Sequence, residues 1–167
     1  AHLTEAMSVA VRFRGVPGFG GYLFAKTDRL GAKRYWSLYL SAASNEFRVY
    51  TVGAAGGKLV LRFKPNKEDR FAHDGLDHKL LLVRDGNSVW LKADGKLIGG
   101  EQTLGERSAT GAVVQDCSIV GPDCESWIGQ RASARGGAYR YRGFLQELKV
   151  YHGHVLASYP GGWARGA

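Results

Sequence analysis

The sequence predicts an all-β chain folded as a two-sheet antiparallel β-sandwich. Three observations carry that reading. Apolar and polar residues alternate with period two through most of the chain, as half-buried strands require. Gly is abundant at 24 residues and Pro scarce at 4, which suits many tight turns. No segment of useful length carries the apolar spacing of a helix, and short strands without helices pack as a sandwich.

The elements follow in order. Met7, Val9, Val11 and Phe13 share one face of the first strand, with Arg12 and Arg14 on the other. GVPGFGG turns the chain into a strand over Tyr22–Lys26. RYWSLYLSA puts Trp36, Leu38 and Leu40 on one face and Tyr35, Ser37 and Tyr39 on the opposite one. Asn45–Val52 repeats the alternation through Phe47 and Val49, and Gly53–Gly57 is a turn. Lys58–Lys64 directs Leu59, Leu61 and Phe63 inward and Arg62 and Lys64 outward. The strand His78–Arg84 meets Asp85-Gly86, a hairpin signal, and SVWLKA returns to a second such signal at Asp94-Gly95. Lys96–Ile98 completes this meander. Gly99–Asp116 reads as a loop with a short strand at Ala112–Val114. Glu125–Gly129 is a strand expected to take Trp127 and Ile128 into the core region, Arg131–Ala138 a loop, and Tyr139–Tyr151 the last long strand, whose Phe144, Leu148 and Val150 are expected to help close the sandwich.

A chain of 167 residues is the size of one domain. Residues 1–160 are expected to form it, with 161–167 (GGWARGA) as a flexible tail. The net charge of +8 favours negatively charged partners such as sulfated glycans, acidic proteins or anionic headgroups. No apolar run approaches the roughly 20 residues of a membrane span, so no membrane insertion is expected. No secretory leader opens the sequence, as expected of a mature form or an excised module. No N-x-[ST] sequon occurs.

The ordered motifs resemble a laminin G-like domain, of the superfamily that includes thrombospondin N-terminal and pentraxin domains. SVAVRFRG followed by GYLFAKTD resembles that family's opening strand pair, and RYWSLYLS its third strand. DGLDH stands where the family has a D-G-x-W-H turn, with Asp77 in the place of the Trp. VRDGNSVWLKADGK resembles the central hairpin and WIGQR…YRGFLQELKVYHG the closing strands. The resemblance implies a concanavalin A-like jelly roll and an extracellular recognition or adhesion module, secreted or in an ectodomain. The cysteine placement is similar to the usherin or adhesion-receptor branch.

In that setting Cys117 and Cys124, the only cysteines, read as one disulfide. So short a loop would contribute roughly 2–3 kcal/mol in the chain-entropy model. It would pin the loop before Trp127. Some laminin G domains bind calcium at one rim, and Asp28 and Asp94 are the residues here that would contribute. No full ligand set accompanies them, so no cofactor is expected. The cluster HDGLDH (His73 to His78) has metal-binding residue types, but a turn capped by its aspartates accounts for it better. His152 and His154 fit a solvated strand end.

Catalytic patterns are missing. There is no E-x-D-x-x-E strand for glycoside hydrolysis, no G-x-S-x-G elbow and no phosphate loop. The basic residues are the binding lead. Arg140 and Arg142 alternate with Tyr139 and Tyr141, Arg12 and Arg14 share a strand face, and Arg131 and Arg135 decorate a loop. A guanidinium fork suits sulfate or carboxylate. The sequence therefore predicts a non-enzymatic module binding sulfated glycans such as heparan sulfate through Arg12, Arg14, Arg131, Arg135, Arg140 and Arg142. Docking of a protein on the sheet face around Tyr35 and Tyr39 is the second reading, and a carbohydrate-active enzyme the third. Nucleic acid is not expected, because no recognised motif accompanies the arginines.

Overall fold

The computed structural model describes residues 6–28, 35–52, 58–85, 88–103, 124–129 and 139–152. These form ten strands and no helix: β1 (Ala6–Gly15), β2 (Gly21–Asp28), β3 (Tyr35–Ser41), β4 (Glu46–Val52), β5 (Lys58–Phe63), β6 (Asp77–Asp85), β7 (Ser88–Ala93), β8 (Lys96–Thr103), β9 (Cys124–Ile128) and β10 (Gly143–His152). They build two five-stranded sheets, one in the order β10-β1-β6-β7-β8 and one in the order β5-β4-β3-β2-β9. Every described strand pair is antiparallel. This is the expected two-sheet sandwich.

Register follows from the alternation. Val9 lies opposite Leu82 and Val11 opposite Leu80 in the first sheet, and Leu38 opposite Val49 and Leu40 opposite Phe47 in the second. A one-residue slip would turn all of these to solvent. Their side chains meet in one core, where Phe13 of the first sheet and Phe47 of the second touch edge to face at 6.2 Å. Fully burying a side chain of this size stabilises by about 1.5–3 kcal/mol. Asp94 and Gly95 both take positive φ, the geometry of a type I′ hairpin, as their sequence demands.

Three expectations are corrected. The Lys96 strand does not end at Ile98: it runs to Thr103, because Val89 and Ser88 continue to pair with Gln102 and Thr103 across a bulge. The last strand begins at Gly143 and not at Tyr139. Ile128 and Phe144, expected to help close the core, are exposed. Ile128 stands on the edge strand β9, and Phe144 lies opposite Arg14 on the outer face. Leu148 and Val150 do pack against the core. Cys117, Ala112–Val114 and the side chain of Trp127 fall outside the described residues, as does the Cys124 side chain.

Candidate functional site

The outward residues of the second sheet line up across strands. Tyr22 of β2 lies opposite Tyr39 of β3, Tyr39 opposite Arg48 of β4, and Arg48 opposite Arg62 of β5. Tyr50 lies one step along, opposite Ser37. The four strands thus carry three tyrosines and two arginines on one face. Same-face neighbours stand close enough to touch.

A fourth ring comes from outside the sheet. The segment before β10 runs alongside β2: Tyr22 N–H donates to Tyr139 O at 3.0 Å and Tyr141 N–H to Gly129 O at 2.8 Å. Gly21 makes this approach possible. A Cβ there would lie 2.4 Å from the Tyr141 backbone, and its φ of 145° is one that L side chains rarely adopt. Tyr139 itself takes φ 71°. That sends its ring onto Tyr22 and Tyr39, at 6.5 and 6.2 Å between centroids. Tyr22–Tyr39 (5.0 Å) and Tyr39–Tyr50 (6.0 Å) complete the cluster. Tyr22 is the buried floor, Tyr39 and Tyr50 are half-buried, and Tyr139 is 63% exposed.

Glu46 organises the charge beside these rings. Its carboxylate accepts from Arg48 Nε and from Arg62 Nη1, the latter at 2.7 Å. Arg48 also reaches Tyr50 Oη at 3.3 Å and Ser44 Oγ at 3.1 Å. Burial alone would raise the Glu46 pKa, but the two guanidiniums more than offset it and hold the carboxyl below its ordinary value. Burial and the neighbouring tyrosines raise the Tyr39 pKa, so its hydroxyl stays protonated. Two guanidiniums against one carboxylate leave net positive charge next to an aromatic surface.

The residues expected from the sequence lie in several places. Arg12 and Arg14 face outward from the first sheet, where both approach Asp77 at 3.8 Å. Arg14 also stacks over Phe144 at 4.7 Å. Arg140 and Arg142 belong to the irregular segment and not to a strand. Arg140 forms an isolated bridge with Tyr22, and the Arg142 guanidinium covers Phe19 at 4.8 Å. Tyr139 and Tyr141 part company: the first joins the outer cluster and the second packs on Phe13 in the core at 6.2 Å. Arg131 and Arg135 lie outside the described residues, as do the side chains of Tyr35 and Asp28.

Asp94 is engaged by protein groups. Its Oδ1 accepts from Lys79 N–H and its Oδ2 faces His78 Nδ1, both at 2.8 Å. The other ring nitrogen of His78 faces Asp74 Oδ1 at 2.9 Å. A carboxylate on each nitrogen makes both N–H groups donors, the imidazolium form. Burial lowers the His78 pKa, and the two aspartates outweigh it and raise the value overall. His73 donates from Nε2 to Ala42 O at 2.9 Å. Among the described residues no set of three His, Cys, Asp or Glu side chains converges on a point that would hold a metal ion. The HDGLDH cluster is therefore a structural clamp between the turn after β5 and the β7–β8 hairpin.

The tyrosine face was only partly visible in the sequence. Tyr39 has the right parity, but its company depends on strand order and on the segment carrying Tyr139.

No protein-family model matches the chain, and no curated protein matches it by sequence. Solved structures do. The CBM40 module of the Ruminococcus gnavus IT-sialidase, bound to α2,3-sialyllactose, superposes with TM-score 0.66 at 17% identity, covering 92% of this chain and 79% of that one. Mouse laminin α1 domains LG4-5 give 0.60 at 16%, covering 91% and 37%. The Limulus polyphemus SAP-like pentraxin gives 0.55 at 16%, covering 88% and 64%. The chain has the laminin G-like, concanavalin-like jelly-roll fold that these proteins share.

Proposed function

We propose that the chain is a non-enzymatic glycan-binding module that holds an acidic sugar on the tyrosine–arginine face of the second sheet. The observation carrying this reading is the cluster Tyr22, Tyr39, Tyr50 and Tyr139 beside the Glu46-bridged pair Arg48 and Arg62. Sugar rings bury their C–H faces on aromatic rings, and the phenol hydroxyls supply polar tips. Arginine supplies the fork that a carboxylate or sulfate takes bidentately. The fold shared with a module solved with sialyllactose, an acidic glycan, supports a ligand of that class. An extracellular adhesion or matrix protein is the setting this implies.

The test is titration calorimetry against matched neutral and acidic oligosaccharides. The acidic member should bind more tightly, and Tyr39→Ala or Arg48→Ala should weaken it about tenfold, the loss of one charge-assisted or stacking contact. Arg12→Ala with Arg14→Ala should leave it unchanged. If heparin is retained instead, and Arg140→Ala with Arg142→Ala abolishes retention while Tyr39→Ala does not, the basic arginines carry binding and the tyrosine face does not.

A further inference from the structure

A cleft of about 300 Å³ opens between the β3–β4 turn and the segment following β5. Three cations line it, Lys64, Lys67 and Arg70, together with Ser44, Asn45 and His73. No carboxylate lines it. The three cations are exposed and have no ion-pair partner among the described residues. Elsewhere Arg12, Arg14, Arg48, Arg62, Lys96 and Lys149 each sit against an acid. Asp69, within the same segment, pairs with Lys96 at 3.8 Å and is not part of the lining.

The walls are braced. Asn45, in a left-handed conformation with φ 46°, donates from Nδ2 to Asp69 O at 2.6 Å and accepts from Ala72 N–H at 3.2 Å. His73 donates to Ala42 O from the other side. The cations therefore project from a fixed backbone frame, and only their own side chains have to order when an anion enters. Ser44 joins this cleft to the tyrosine face. It lines the cleft, and its Oγ accepts from Arg48 Nη2.

We infer that the cleft is an oxyanion subsite that takes a sulfate or phosphate ester borne on the glycan whose neighbouring sugar rests on the tyrosine face. Three flexible cations around an open cleft suit a multivalent tetrahedral oxyanion, with Asn and Ser groups at hand for its remaining oxygens. The inference rests on the proposed reading for its glycan and on the cleft alone for its anion.

The experiment compares an acidic oligosaccharide carrying one sulfate ester, a phosphate-ester counterpart, and the parent without either. The triple variant Lys64→Gln/Lys67→Gln/Arg70→Gln changes only exposed side chains, and thermal melting checks that it folds. The wild type should prefer an esterified glycan about tenfold, in keeping with one or more charge-assisted hydrogen bonds. The triple variant should lose that preference and keep its affinity for the parent. Tyr39→Ala should weaken all three ligands together. Which ester is preferred identifies the group taken. Equal binding of esterified and parent glycans by the wild type, or a preference surviving in the triple variant, overturns the subsite. If Tyr39→Ala leaves the parent's affinity intact while the triple variant still abolishes the preference, the cleft stands and the tyrosine face falls.

Discussion

At the scale of single residues, His78 shows how a sequence cluster with metal-like composition becomes a clamp. Its ring bridges two carboxylates and packs edge-on against Phe71 at 4.8 Å. His78→Gln should cost about 1–3 kcal/mol, the range for stranding buried hydrogen-bond partners. The pH dependence has a definite sign. A pKa raised in the folded state gives stability that is fully present below the unfolded value, about 6.5, and lost as pH rises through the folded one. The gap between wild type and His78→Gln in urea midpoint should thus be widest below about pH 6.5 and narrow as pH rises above it. A gap that widens with pH would contradict the clamp. Glu46 has the opposite sign. Its lowered pKa gives stability present above the unfolded value and lost as pH falls through the folded one. Arg48→Lys keeps the charge but loses the fork that contacts Glu46, Tyr50 and Ser44 together. It should weaken acidic-glycan binding severalfold in calorimetry and lower the melting temperature by roughly 2–4 °C, in keeping with about 1 kcal/mol of lost hydrogen bonding.

At the scale of elements, the segment carrying Tyr139 to Arg142 decides the site. It leaves the strand alternation, bridges β2, and sends adjacent tyrosines to opposite destinations. Gly21→Ala should push that segment off β2 and cost about 2 kcal/mol or more, since backbone atoms occupy the space. Gly18 is the control. Its φ is +82° and nothing lies within 4 Å, so Gly18→Ala should cost only about 1 kcal/mol from the left-handed conformation. Denaturant unfolding measures both, and only Gly21→Ala should also weaken glycan binding. Equal costs would mean that the close approach does not hold Tyr139. The strands themselves were legible because Phe13, Leu38, Phe47 and Phe63 sit at strict alternation. Lys26 and Arg84 were not, since both are charged yet almost fully buried. Lys26 carries a pKa lowered by that burial.

At the scale of the whole molecule, the chain carries a net charge of +8, and its described cations lie on both sheets. Arg12 and Arg14 spend charge on Asp77 on the outer face of the first sheet. On the second sheet, Arg48 and Arg62 flank the tyrosines and the Lys64–Arg70 cleft adjoins them through Ser44. Affinity for an acidic glycan should fall as salt rises from about 50 to about 300 mM, while affinity for a neutral one should stay level. Calorimetry at the two salts checks this, and parallel curves would place the charges away from the ligand. The sequence by itself determined the all-β sandwich and most strand faces, because a period of two is a local property that each strand carries alone. It also supplied the D-G hairpin at Asp94-Gly95, since that turn needs two residues tolerant of positive φ. Only the tertiary structure decided that Tyr22, Tyr39, Tyr50 and Tyr139 form one surface and that Lys64, Lys67 and Arg70 line one cleft. The tyrosines come from three strands and a distant segment, and their meeting depends on strand order and on one backbone crossing at Gly21. Alternation says which side of a strand a residue faces. It says nothing about which strand lies next to it.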